Sequence, residues 1–306
     1  MHISRHDRVY QTLANIFLII LVVVIILPFL LLFISSITEE GTLVRDGYTL
    51  FPKELSLAAY KYIFVNSNKI FRAYAITIGV TIVGTALHLI LSSMLAYPLS
   101  LKKLPGRNFF SFFVFFTMLF NGGLVPTYMM YSGTFHIKNT IFAMIVPGFL
   151  MSAVNVLLIR TYFSNNIPEA LYEAAEVDGA GHFTVFTKIV LPLGKPILVT
   201  VGLFAGLGYW NDWTNGLYYI TNTKLYSLQN LLNRILQDVQ FLASNSTVAQ
   251  SGAIVEMPTT AMSMGPLPST SVRMAIAFIA MVPILILYPF LQKYFAKGIA
   301  MGAVKG

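Results

Sequence analysis

Glu173, Glu176 and Asp178 stand within six residues in the stretch EAAEVDGAGHF, residues 173 to 183, between segments almost free of charge. Three carboxylates on one short helix suit docking to a partner. Ala170, Ala174 and Ala175 leave a face with little side-chain bulk, so that a second surface can approach closely. An amphipathic helix resting on the membrane with solvated carboxylates is the alternative, but such helices favour Lys and Arg over Glu. Asn165 or Asn166 is expected to cap this helix, with Pro168 in an early position, Glu169 at the positive dipole end and Gly179 as the stop.

Other chemistries find less material. No cysteine is present, which excludes disulfides, thiol catalysis and Cys-ligated metal, and His2, His6, His88, His136 and His182 have no ligand spacing. No metal site is therefore expected. Neither paired acids nor a nucleophile beside a base is found, so the chain is read as non-enzymatic. A G-x-x-x-x-G-K-[ST] phosphate loop is also missing, so the chain does not hydrolyse ATP itself. No acidic residue lies between Glu54 and Glu169, which leaves an ion-coupled transporter acting alone as a poor alternative with only Asp212 near a span.

The elements that must position these residues are membrane helices. The chain of 306 residues is 56% hydrophobic and 10% charged, with a mean hydropathy of +0.72, against roughly 25% charged in a soluble domain. An all-α polytopic membrane protein follows. Its net charge of +8 then marks cytoplasmic loops and the anionic lipid face rather than nucleic acid. Spanning ~30 Å of hydrocarbon takes about 20 apolar residues. Stretches at about 13–35, 73–98, 109–130, 139–160, 195–213 and 272–292 qualify, giving six helices in a single transmembrane domain, 1–306. The first is too long for a signal h-region and lacks an A-x-A site, so it is read as retained.

Basic residues orient these spans. LKKLPGRN packs three cations into one short link, whereas the opposite link, YSGTFHIK, carries only Lys138. Both termini and the loop 161–194 are accordingly placed in the cytoplasm, with 36–72 and 214–271 outside. Small residues at four-residue spacing, Ala75/Gly79, Ser92/Ala96 and Gly202/Gly206, are read as helix-packing positions. FNGGLVP (120–126) and VPG (146–148) interrupt two spans, either as simple kinks or as borders of a transport path.

Glu173-Ala174-Ala175, three residues, Gly179, nine residues, Ile189, one residue and Leu191-Pro192 together resemble the EAA signature of the permease subunits of bacterial ABC importers. The tail LQKYFAKGIAMGAVKG and the stretches FNGGLVPTYMM and YWNDWTNGLYYI are similar to the maltose-type carbohydrate permeases, in the LplC/YtcP-like branch that serves larger or modified oligosaccharides. This resemblance covers about residues 10 to 306. It implies the type I ABC importer permease fold, with the EAA loop as a cytoplasmic coupling helix seated in a cleft of an ATPase. Glu173, Ala174, Ala175, Asp178 and Gly179 would make that contact, and Ile189, Leu191 and Pro192 would complete the turn into the fifth span.

The resemblance further implies a second homologous permease, a cytoplasmic ATPase dimer carrying ATP and magnesium, an extracellular solute-binding lipoprotein and an oligosaccharide cargo. No cofactor is expected in this chain, and its location would be the bacterial cell membrane. The outer segment from about 237 to 270 departs in length, and contact with the binding protein is one use for it. For a sugar cargo, Tyr209, Trp210, Asn211, Asp212 and Trp213 combine aromatic faces with polar groups, although the tryptophans equally suit an interfacial belt. Asn121 and Asn155 lie inside spans and serve either the path or interhelical hydrogen bonds. His88, mid-span, is read as a neutral, hydrogen-bonded packing residue rather than a proton switch.

Overall fold

Long apolar runs without charge leave the backbone no choice but to satisfy itself, and helices do so within one segment. The computed structural model, which describes residues 5–64, 67–244 and 269–303, is accordingly helical. An isolated antiparallel bridge between Thr38 and Leu55 is its only extended pairing among the described residues. Contacts divide the chain, expected as one domain, into two compact units, Met1–Ser67 with Leu232–Pro283 and Asn68–Leu231 with Ile284–Gly306.

The first unit holds α1 (Arg5–Ser36), α2 (Glu40–Asp46) and α3 (Ala58–Phe64), with the later part of α14 (Leu228–Ser244) and the first half of α15 (Ser269–Ala303). α1 leaves the apolar side chains from Leu13 to Leu30 exposed along its length, a surface that in water would be prohibitive. Near its end Phe33 meets Phe278 of α15, ring centroids 4.9 Å apart. Glu40 accepts hydrogen bonds from the amides of Thr270 and Ser271 and from the Ser271 hydroxyl, each at 2.8 Å, and so caps the N-terminus of α15.

The second unit runs through α4 (Ser67–Ser100), α5 (Arg107–Leu119), α6 (Leu124–Met129), a π turn at Met130–Thr134, α7 (Phe142–Ile145), α8 (Ala153–Asn166), α9 (Glu169–Val177) and α10 (His182–Val185). A second π turn (Phe186–Val190), α11 (Leu191–Leu193), α12 (Lys195–Asn211) and α13 (Thr214–Tyr219) follow.

Among the described residues, α1 over Tyr10–Ser36 and α4 over Asn68–Ser100 are unbroken helices long and apolar enough to cross a membrane. The third expected span, 109–130, is instead α5 and α6, bent by 109° at the Asn121-Gly122-Gly123 break. Asn121 Oδ1 accepts from the Gly123 amide at 2.8 Å, and Gly123 has φ +83°, a conformation only glycine adopts freely. The fourth, 139–160, is the single turn of α7, an irregular stretch and then α8. The fifth continues a bent pair, 80° between His182–Leu193 and Lys195–Asn211. The segment 214–271, expected as an outer loop, is not all loop, since α13 and α14 occupy much of its first part. Residues 245–268, most of its unassigned stretch, lie outside the described residues.

Candidate functional site

Three elements converge on the EAA stretch. α8 ends at Asn166, because Ile167 precedes a proline and is held extended at φ −104°, ψ 114°. Asn165 and Asn166 belong to the last turn of α8 rather than capping the next helix, and Pro168 sits one place before α9. Glu169 then opens α9, where the helix dipole favours its charge. At the other end Ala180 N–H bonds Ala175 O at 2.9 Å and Gly179 N–H bonds Glu176 O at 3.0 Å. With Gly179 at φ +72° this is a Schellman stop.

Ala175, 5% exposed, faces the core built from Val156, Ile159, Phe163, Val185 and Val190. Glu173, Ala174, Asp178 and Gly179 are exposed, as are Val177 at 87% and Phe183 at 73%. One side of the helix is thus anchored, and the other presents small and apolar groups with carboxylates around them. Ile189 lies in the π turn and Leu191 in α11, both packed on the same core, while Pro192 is exposed.

Two lysines of the link after α4 hold the helix from the side. Lys102 Nζ lies 2.7 Å from Glu169 and Lys103 Nζ 3.3 Å from Glu176. The hydrogen bond from Lys102, helped by its charge, keeps the Glu169 carboxyl below its usual range. Exposed pairs of this kind contribute little energy; their value is registry. A deeper tie joins α8 to the end of α4, where unpaired carbonyls need partners: Arg160 Nε donates to Leu99 O at 3.2 Å and Ser164 Oγ to Ser100 O at 3.1 Å. Between link and helix lies a cavity of about 590 Å³ lined by Tyr97, Lys103, Phe163, Tyr172, Glu176 and His182 among others.

The residues considered for a substrate path do not form one group. Tyr209 is buried, with its hydroxyl donating to Ile145 O at 3.0 Å, and Trp210 is buried with its ring 6.5 Å from that of Tyr74. Asp212 Oδ1 accepts from the amides of Thr214 and Asn215 at 3.0 and 3.1 Å and so starts α13. Asn155 bonds His88. Asn121, Asn211 and Trp213 are exposed. Sequence reasoning overlooked Lys102, Lys103, Arg160 and Ser164 around the EAA helix; the cationic link was read for orientation only, although cations in one link and acids in another are a pairing signal, realised here by Lys102 and Lys103.

Comparison with known proteins gives this geometry its context. Residues 4–301 match the family described as binding-protein-dependent transport system inner membrane component. The chain is 35% identical over its whole length to protein LplC of Bacillus subtilis, covering 98% of that protein. It is 34% identical to the polygalacturonan/rhamnogalacturonan transport system permease protein YtcP of the same organism, over 98% of this chain and 99% of that one. Among solved structures, it superposes with a TM-score of 0.77 and 28% identity on a chain of a bacterial ABC transporter involved in the import of the acidic polysaccharide alginate, covering 95% of this chain and 98% of that one. The EAA loop thus sits in a chain that belongs to the binding-protein-dependent transport system inner membrane components, the permease subunits of ABC transporters.

Proposed function

We propose that this chain is the permease subunit of an ATP-driven oligosaccharide importer, forming half of a translocation pore with a second, homologous permease. The observation that carries the reading is the EAA helix itself: anchored through Ala175, clamped by Lys102 and Lys103, and presenting Glu173, Ala174 and Val177 outward. Such a helix is a handle that a partner can grip and displace without unfolding it. Glu173, Ala174, Ala175, Asp178 and Gly179 engage a cytoplasmic ATPase dimer, which holds ATP and magnesium, while Ile189, Leu191 and Pro192 pass the motion to α12. Closure of the ATPases draws the coupling helices together and opens the cavity to the outside, where a solute-binding lipoprotein delivers cargo. The chain is multi-pass with both termini in the cytoplasm and is itself non-catalytic.

Uronate-containing oligosaccharides are the first cargo to test, because the names of two relatives, polygalacturonan and alginate, are of that chemistry. An ion-coupled mechanism loses its best residue, since Asp212 is engaged with the start of α13. Purification of the tagged chain in mild detergent is expected to recover an ATPase, a second EAA-bearing permease and a binding protein. In that complex Glu173→Lys or Gly179→Pro abolishes ATP hydrolysis stimulated by the loaded binding protein while insertion persists. Normal stimulation in both variants would refute the coupling role.

A further inference from the structure

The end of the second unit away from α9 holds more cations than acids. α4 spans 34 residues, about 51 Å of helix, and its last residue, Ser100, is tied to α8 where α8 approaches α9. Its first turns, with Lys69 and Arg72, therefore lie at the opposite end. Leu228 N–H donates to Thr77 Oγ1 at 2.7 Å, and Asn139 Oδ1 accepts from Thr221 N–H at 2.7 Å, so that Lys138 and Lys224 share that end. All four cations are exposed, and none has an ion-pair partner among the described residues. The one acid there, Asp212, is taken up by the start of α13. Such an excess draws anions.

Of the four, Lys138 is built into a site. Its Nζ donates to Tyr128 Oη at 3.0 Å and stands 5.7 Å from the ring centroid, so the ammonium lies beyond the hydroxyl, in line with the C–O bond, rather than over the ring. The ring is fixed in turn by stacking on Tyr219, 2% exposed, with centroids 5.5 Å apart and planes at 19°. The backbone beside Lys138 is fixed as well. Asn139, at φ +59°, donates its N–H to Tyr219 O at 3.0 Å and accepts at Oδ1 from Asn222 N–H at 3.0 Å in addition to Thr221. An ammonium cannot accept a hydrogen bond, so Tyr128 keeps its hydroxyl proton to give and Lys138 keeps two more. Two donors 3.0 Å apart, one of them charged, match the two oxygens of a carboxylate. Next to them Tyr131, edge-on to Tyr219, and Phe135, 57% exposed with its ring 5.9 Å from that of Tyr131, offer aromatic surface. A carboxylate receptor beside aromatic rings has the make-up of a site for an acidic sugar, whose C–H face rests on a ring while its acid group fixes the orientation.

We propose that Lys138 and Tyr128 form a carboxylate subsite for a uronate residue of the cargo, on the outward end of this permease, and that Lys138 sets its preference for acidic over neutral saccharide. The proposal rests on the importer reading and names the substrate class from this chain's own residues.

The complete transporter, reconstituted in liposomes with its binding protein, is given trigalacturonate as the probe, and uptake is followed while the concentration of loaded binding protein is varied. At saturating binding protein, Lys138→Met is expected to lower uptake about 10-fold or more, as loss of a hydrogen bond to a charged group does. Lys138→Arg keeps most of the uptake, and Tyr128→Phe, which leaves the ring on Tyr219 and removes only the hydroxyl, loses a smaller part. Lys224→Met, which takes one charge from the same end without touching the pair, stays near wild type. Equal losses in Lys138→Met and Lys224→Met would reduce the effect to the general field and overturn the subsite. A rise in the half-saturating concentration of binding protein, with uptake at saturation unchanged, would make a carboxylate of the binding protein the occupant and overturn it as well. So would wild-type uptake in Lys138→Met, or no uptake of trigalacturonate by a wild-type complex that hydrolyses ATP; both leave the importer standing. Failure to recover any ATPase with the chain would instead overturn the functional reading on which the proposal rests.

Discussion

Glycines that look alike in the sequence do different things. Gly79 and Gly84 both belong to α4, yet a Cβ at Gly84 would stand 2.6 Å from Tyr209 Cζ, whereas one at Gly79 meets nothing within 4 Å. The Tyr209 ring rests on bare backbone there, which sets its hydroxyl against Ile145 O. Gly84→Val should therefore lower stability by about 1–3 kcal/mol, the usual penalty of overpacking, while Gly79→Val stays near neutral; thermal unfolding in detergent compares them. Gly79 was read with Ala75 as a packing position, and Gly84 falls outside the four-residue pairs, because spacing suggests a face but not which residue is covered. Ser92 and Ala96, both fully buried, and Gly202, whose Cβ would lie 3.0 Å from Leu89 Cδ1, fit that reading; Gly79 does not. His88 was read as a neutral, hydrogen-bonded residue, but its partners, Phe149 O and Asn155, depend on a break whose geometry no periodicity encodes.

Elements in this chain are legible where one signal dominates and obscure where two compete. α1 and α4 follow from apolar length alone. The spans at 109–130 and 139–160 have the same hydropathy as a continuous helix, and only Asn121-Gly122-Gly123 and Pro147-Gly148 mark that they are broken. Conversely α14 was read into a loop although Leu228, Leu231, Leu232 and Ile235 recur at helical spacing. Length and polarity outweighed period in that reading. A cap can be tested at this scale. Burial raises the pKa of Glu40, but the amides of Ser271 and Thr270 and their hydroxyls more than offset it, so the net shift is downward. A carboxylate depressed in the folded state stabilises above its unfolded pKa, ~4.3, and that contribution disappears as pH falls through the folded value. Glu40→Gln is expected to destabilise the protein by about 1 kcal/mol at neutral pH, as loss of a helix cap does, and the gap between variant and wild type should close on acidification below pH ~4. A gap independent of pH would contradict the charged cap.

For the molecule as a whole, the central claim is that α9 is the handle by which an ATPase moves this permease. Its motif was legible in the sequence because the spacing from Glu173 to Pro192 is long and specific. What supports it was not, since Lys102 and Lys103 lie some seventy positions away and meet Glu169 and Glu176 only through the fold. The most direct test uses the absence of cysteine. Val177→Cys, on the most exposed apolar side chain of α9, is placed in the otherwise native complex and treated with a short bifunctional maleimide after a cysteine is introduced along the ATPase surface. The expected result is a cross-link between this chain and the ATPase, together with protection of Val177→Cys from a soluble thiol reagent when the ATPase is bound. Equal labelling with and without the ATPase, and no cross-link at any ATPase position, would contradict the coupling assignment at its root.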